Sequence, residues 1–329
     1  MGDFFINYVE ENILSNKYDK KYQKENTKQS DEKIIKTVRG LIVKALGGFY
    51  YVKPDDTDEI IECRARGLFR KNEITPLVGD HVLIEITENS LGYVVEIVDR
   101  KNSLIRPPVA NIECLVLVVS FTDPKPNYLV IDKLTAIASK RDIPVVLVFT
   151  KTDLYFDESY IETYKKAGYK VYSVDSLSNQ GVDELKPLFN SGIYVFCGNS
   201  GVGKSSLLNA IFPSLELKTG DISKKLGRGR HTTRHVELYS TGNGYIADTP
   251  GFSAIEFLQF EKMLCEDLQY CFPEINDRME NCKFTGCSHT KEKGCAIIDA
   301  VNNGEVARSR YDSYCTIYEE LKQVKKWEL

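Results

Sequence analysis

Between residues 36 and 98 the apolar side chains come in short runs (40–43, 49–52, 60–65, 81–86 and 93–98), separated by glycine, proline and acidic turns. Val82, Ile84 and Ile86 alternate with more polar neighbours, the period of two expected of a half-buried strand. Five such strands in about sixty residues predict a small β-barrel of the OB type. From Cys114 the pattern changes. Apolar runs at 114–119, 145–149, 170–174, 193–197 and 245–247 alternate with helical patterns at 128–140, 157–167, 182–189 and 204–211. That alternation predicts an α/β unit, a doubly wound parallel sheet with helices on both faces. After about residue 255 the chain turns helical and cysteine-rich. Residues 1–35 are polar, with a weak helical pattern at Phe4, Phe5, Ile6, Val9 and Ile13, and read as a flexible arm or a short helix. Arg106-Pro107-Pro108 marks a linker. The expected organisation is an arm (1–35), a barrel (36–99), a linker (100–112), an α/β domain (113–255) and a helical C-terminal domain (256–329).

One junction of the α/β pattern carries chemistry. Gly198-Asn199-Ser200-Gly201-Val202-Gly203-Lys204-Ser205 is a complete G-x-x-x-x-G-K-S loop between the apolar run 193–197 and the helical pattern that begins at Ser206. Strand, glycine-rich loop and helix form the context in which this motif holds phosphates. Backbone N–H groups wrap the anion, Lys204 reaches the outer phosphates and the Ser205 hydroxyl can hold Mg²⁺. Asp248-Thr249-Pro250-Gly251 closes the run 245–247, where the acid can hold Mg²⁺ through water and the Gly251 N–H can meet a γ-phosphate. Thr150-Lys151-Thr152-Asp153 follows the run 145–149. Its carboxylate could accept both the N1–H and the N2 amine of guanine, and the Lys151 stem could cover the base. Asp175-Ser176-Leu177 stands where a second base loop belongs. The base reader thus precedes the phosphate loop. A sheet tolerates that permuted order, because its loops need only meet at one edge.

Composition adds limits. The chain has 329 residues, 42% hydrophobic and 27% charged, and a net charge of −4, which makes no general case for nucleic-acid binding. No apolar run approaches a membrane span. Asp3, Glu10 and Glu11 stand where a secretion signal would be basic, and Ile6 replaces the Ser or Thr of a myristoylation motif. A cytoplasmic protein with no membrane partner is expected, its nine cysteines reduced or bound to metal. Cys282, Cys287, His289 and Cys295 are spaced C-x₄-C-x-H-x₅-C, the ligand set of one closed, structural zinc site. Cys265, Cys271 and Cys315 read as packing residues. The run 224–235 holds Lys224, Lys225, Arg228, Arg230, Arg234, His231 and His235 and no acid. Within it lie Thr232 and Thr233, placed as switch threonines, one of which should meet Mg²⁺ when the switch closes.

These motifs, with the linker and the run Gly227-Arg228-Gly229-Arg230-His231-Thr232-Thr233-Arg234-His235, resemble the circularly permuted ribosome small subunit-dependent GTPase A family, RsgA or YjeQ. The resemblance spans nearly everything from about residue 36 onward. It departs at Thr150, where GTPases usually have Asn, and lacks a Ser-Ala-Lys run near 176. It implies a monomeric GTPase that converts GTP to GDP on the 30S subunit as a late assembly factor, with barrel and zinc unit contacting 16S rRNA. Phe252 follows Gly251 where many GTPases have a water-orienting Gln, so Lys204, Thr233 and His231 form the expected catalytic set. His231 either positions the attacking water or contacts RNA. Two other classes compete: a metabolic P-loop kinase or ATPase, and a zinc-dependent RNA-binding protein with a vestigial nucleotide site. Asp153 counts against the first; intact Lys204, Ser205 and Asp248 count against the second.

Overall fold

A computed structural model describes residues 34–67, 69, 74–215, 236–248 and 263–324. The first five strands are β1 (Ile34–Leu46), β2 (Phe49–Pro54), β3 (Ile61–Ala65), β4 (His81–Thr87) and β5 (Gly92–Ile97). They run in the order β1-β2-β3-β5-β4, with β4 pairing back onto β1 and β3 parallel to β5, so the barrel closes. β1 closes it because it serves two partners. Residues 34–41 pair with β4 and residues 40–46 with β2, and a register shift between Ile42 and Lys44 re-aims the strand. The crossover needs Gly40, since a Cβ there would stand 2.6 Å from the Lys53 carbonyl. Ile42, Val52, Cys63, Ile84 and Val94 fill the interior with no exposure. β1 begins before the expected residue 40 because Lys36, Thr37 and Arg39 point to water around buried Val38, an alternation masked by their polarity.

The expected linker is folded. β6 (Ser103–Leu104) and β7 (Val109–Ala110) form a short antiparallel pair that buries Leu104, Val109 and Ala110. Asn102 acts as backbone glue, accepting from Ile112 N at 2.8 Å and donating to the Ile112 and Asp142 carbonyls. Arg100 grips the fully buried Asp80 carboxylate through two N–H groups at 2.7 and 2.8 Å.

The α/β sheet adds β8 (Ile112–Ser120), β9 (Val145–Thr150), β10 (Lys170–Ser173), β11 (Ile193–Cys197), β12 (Glu237–Ser240) and β13 (Tyr245–Asp248), in the order β10-β9-β8-β11-β13-β12. All pairings are parallel except β12 with β13. Successive residues of each strand serve opposite faces. Leu115, Leu117, Leu147, Phe149 and Val195 pack beneath α1 (Tyr128–Lys140) and α2 (Glu158–Lys166). Val116, Val118, Val146, Val148 and Phe196 pack beneath α3 (Val182–Leu185) and α4 (Lys204–Ile211). β12 has no counterpart in the apolar pattern, because only Leu238 of its four residues is buried. It nevertheless joins sheet to barrel, by pairing Glu237 with Lys44 of β1 and by their 3.1 Å ion pair.

The C-terminal region comprises a 3-10 helix (Cys265–Cys271), α5 (Pro273–Asn276), α6 (Ala296–Asn302) and α7 (Arg308–Leu321). Its core of Leu268, Phe272, Ile275, Ile297 and Tyr314 also takes in Ala136 of α1, with Leu129 packed against it. α1 therefore belongs to two cores.

Candidate functional site

The phosphate-loop segment leaves β11 at the carboxyl edge of the sheet and turns into α4. Gly198 cannot carry a side chain, since a Cβ would stand 2.3 Å from the Val118 carbonyl of neighbouring β8. Gly203, at φ +93°, is the residue before the helix, so the first N–H groups of α4 open toward the loop. Lys204 arches back over it and donates to the carbonyls of Gly198 and, at 2.9 Å, Asn199. Burial lowers its pKa by penalising the ammonium, a penalty that an anion at the loop would relieve. The neighbouring Cys197 thiol is pushed up to about 12 by burial, which keeps it protonated and inert.

Thr150 joins this loop to the Thr150-Lys151-Thr152-Asp153 turn. Its buried hydroxyl donates to the Val202 carbonyl at 2.5 Å and lies 3.2 Å from that of Val119. A hydroxyl at the end of β9 thus reaches the middle of the phosphate loop, 52 positions away in sequence. Lys151 takes a left-handed backbone, at φ +60°, and donates from Nζ to the Asp123 carbonyl at 2.5 Å. Asp153 is exposed on the same edge. After β10, Asp175 accepts from the N–H groups of Leu177 (2.9 Å) and Ser178 (3.1 Å). Hydrogen bonding from Ser178, then from the Leu177 N–H, lowers its pKa and fixes it as the pivot of that loop. Leu177 stands 83% exposed on that loop.

β13 lies beside β11 in register, Val195 opposite Ala247, so the backbone of Asp248 ends its strand next to the phosphate loop. Thr152, Asn199, Ser200, Gly201, Ser205 and Ser206 belong to the same edge through these two turns. His231, Thr232, Thr233 and Gly251 lie outside the described residues, as does Phe252. The motif reading missed the segment 121–127. Its Asp123 carbonyl holds Lys151, Pro124 lies 3.8 Å from the Cβ position of Gly201, and Lys125 and Asn127 line a cleft with Gly198 and Asn199. A proline-rich turn at the carboxyl end of a buried strand was the available signal.

The second cluster is in the C-terminal region. The ligand atoms of Cys282, Cys287, His289 and Cys295 all lie within 4.8 Å of one another. Cys282 Sγ is 3.9 Å from Cys295 Sγ, and both are 3.5 Å from His289 Nδ1. A tetrahedron with metal–sulfur bonds of about 2.3 Å has edges of about 3.8 Å, so this donor set fits one zinc ion. The loop is pinned from inside by Glu292, which accepts from the Ser288, Thr290 and Lys291 N–H groups and the Ser288 hydroxyl. Burial would raise the Glu292 pKa, but those hydrogen bonds, led by Ser288, hold it at about 2. From α7, the Tyr311 and Tyr314 hydroxyls donate to the Thr290 and Ser288 carbonyls. Of the other cysteines, Cys271 is buried in this core, while Cys265 and Cys315 are half-buried.

The turn at 150–153 comes before the glycine-rich strand–loop–helix segment in sequence and is tied to it in space, the arrangement of a circularly permuted GTPase. The RsgA GTPase model matches residues 97–258 and the RsgA N-terminal domain model residues 39–94. The small ribosomal subunit biogenesis GTPase RsgA of Bacillus subtilis (strain 168) is 46% identical over 295 residues, 87% of this chain and 98% of that one. The corresponding RsgA 2 of Oceanobacillus iheyensis is 47% identical over 289 residues, 86% and 97% of the two chains. Among solved structures, YloQ, described as a circularly permuted GTPase, aligns with a TM-score of 0.73 at 40% identity, covering 88% of this chain and 96% of that one. YjeQ from Thermotoga maritima aligns at 0.74 and 32% identity, covering 88% and 100%. The chain belongs to the RsgA GTPase family.

Proposed function

We propose that this chain hydrolyses GTP to GDP and phosphate on the small ribosomal subunit, as a late factor in that subunit's biogenesis. The observation that supports the nucleotide reading is the Thr150 hydroxyl on the Val202 carbonyl, which ties the turn 150–153 to the loop 198–205. In this reading Asp153 selects guanine, the Lys151 stem covers its plane, and residues 198–206 enclose the phosphates. Ser205, one of Thr232 and Thr233, and, through water, Asp248 would hold Mg²⁺, which would neutralise charge on the transferred phosphoryl group. Lys204 stabilises that charge and Thr233 closes on it. Gly251 fixes the γ-phosphate end. Phe252 cannot orient water, and His231 takes that role once the basic run 224–235 docks on 16S rRNA phosphates. Cys282, Cys287, His289 and Cys295 hold one structural zinc. The division at about residues 36, 100, 113 and 256 into arm, barrel, linker, GTPase and zinc domains belongs to the same reading, as do a monomeric state and a cytoplasmic location. Among the described residues no helix is long and apolar enough to cross a membrane.

Co-sedimentation with purified 30S subunits tests the whole. The GTP-analogue form should pellet with them and the GDP form should not, and added subunits should raise GTP turnover. Equal pelleting in both states, or ATP turned over as readily as GTP, would remove the reading. In His231→Ala, stimulated turnover should fall by roughly a hundredfold while analogue-form binding persists. Lost binding with normal turnover of the bound fraction would assign His231 to RNA.

A further inference from the structure

His289 presents two ring nitrogens, and the surroundings decide which one faces the cysteines. Nδ1 lies 3.5 Å from both Cys282 Sγ and Cys295 Sγ, while Nε2 points away to Gln269 Oε1 at 3.1 Å. Gln269 is outside the ligand loop, on the 3-10 helix Cys265–Cys271. Its amide could face either way until its other half is considered. Gln269 Nε2 donates to the Glu266 carbonyl at 3.2 Å, which leaves Oε1 as the atom toward the imidazole. An amide oxygen can only accept, so His289 Nε2 must carry the proton. Nδ1 then carries the bare lone pair on the side of the three cysteine sulfurs. His289 itself is 1% exposed, so water does not offer the ring a competing partner.

We propose that Gln269 is a positioning residue for the metal site: it fixes the His289 tautomer and ring plane so that Nδ1 is the ligand nitrogen. The proposal rests on the zinc reading of the cysteine–histidine cluster. Metal-bound imidazoles generally need such an outer acceptor, and its loss weakens metal binding by about 10–100-fold. The 3-10 helix that supplies Gln269 is itself anchored on α1, where Lys140 Nζ meets Asp267 Oδ2 at 2.6 Å. The GTPase sheet's own helix thus helps aim a ligand of the zinc loop.

The test uses the full zinc-loaded chain, with zinc affinity measured by competition against a chromogenic chelator. Gln269→Leu keeps size and removes the acceptor; affinity should fall about 10–100-fold. Gln269→Glu keeps an acceptor and should bind at least as tightly as the wild type. Long-range ¹H–¹⁵N correlation spectra of the wild type should show His289 protonated at Nε2 and metallated at Nδ1, a readout that needs no variant to fold. A Gln269→Leu affinity within twofold of the wild type, failure of Gln269→Glu to restore binding, or metal on Nε2 would each overturn the proposal. Wild-type protein lacking stoichiometric zinc would bring down the metal reading itself.

Discussion

Arg310 is the largest fully buried side chain in the molecule's described part, and it holds three elements together. From α7 its Nη1 donates to Asp132 of α1 at 2.7 Å, while Nε and Nη2 clasp both oxygens of Glu274 on α5 at 2.7 and 3.1 Å. The guanidinium lies 4.4 Å from the Phe272 ring centroid, and the Tyr164 hydroxyl shares the Asp132 oxygen at 2.9 Å. Burial alone would lower the Arg310 pKa, yet the two carboxylates raise it well above its ordinary value. Arg310→Met would keep the packing on Phe272 and leave two carboxylates, at most 4% exposed, without a counter-charge. Breaking a buried pair by removing one partner costs about 3–5 kcal/mol, and a cluster that loses both its pairs belongs at the upper end. Local opening of α7 should then rise on the order of a thousandfold or more. Hydrogen exchange measured by mass spectrometry should register it in peptides covering 308–321 and, because α1 shares the core, in 128–140. Burial already raises the Asp132 pKa and loss of Arg310 would raise it further, so the deficit is greatest at neutral pH and shrinks as pH falls. Adding Asp132→Asn and Glu274→Met should recover most of the loss, since no buried charge then remains. A deficit under about 1 kcal/mol, or faster exchange confined to 308–321, would refute the claim that this cluster joins the C-terminal region to the GTPase sheet.

Asp153→Asn replaces a carboxylate acceptor with an amide, so GTP affinity should drop by a few kcal/mol while xanthine nucleotides gain; fluorescent-nucleotide titration with both bases reads it. Thr150→Val keeps shape but leaves the Val202 carbonyl without its donor, a loss of about 1–3 kcal/mol; GDP should bind roughly tenfold or more weaker, and an unchanged affinity would remove the tether. Glu292 has its folded pKa depressed from an ordinary 4.5 to about 2, so its stabilisation is complete above 4.5 and is lost as pH falls toward 2. In the metal-free protein, the melting-temperature gap between wild type and Glu292→Gln should therefore be full at pH 7 and close across that window; a gap independent of pH would show that the carboxylate's charge is not what holds the loop.

The sequence by itself determined whatever is local. Helix 128–140 and helix 204–211 match α1 and α4 at both ends, and the apolar run 193–197 is β11, because periodic burial is written in neighbouring residues. The glycine-rich segment 198–205, the turn 150–153 and the C-x₄-C-x-H-x₅-C spacing stood out for the same reason: residue type and spacing mark them in neighbouring positions. Only tertiary structure could show that Thr150, a departure from the usual Asn, makes a direct bond to the loop 198–205, since the partner is a backbone carbonyl that any residue offers. Strand β12 and the pair β6–β7 were illegible because elements of two to four residues are too short to leave a period. The two-core role of α1 was equally hidden. An amphipathic pattern tells which residues leave water, whereas Ala136 enters the C-terminal core while Leu134 and Ile137 enter the sheet's. Which neighbour receives a buried face is settled by chain packing over separations such as the 178 positions between Asp132 and Arg310, and no local period encodes that distance.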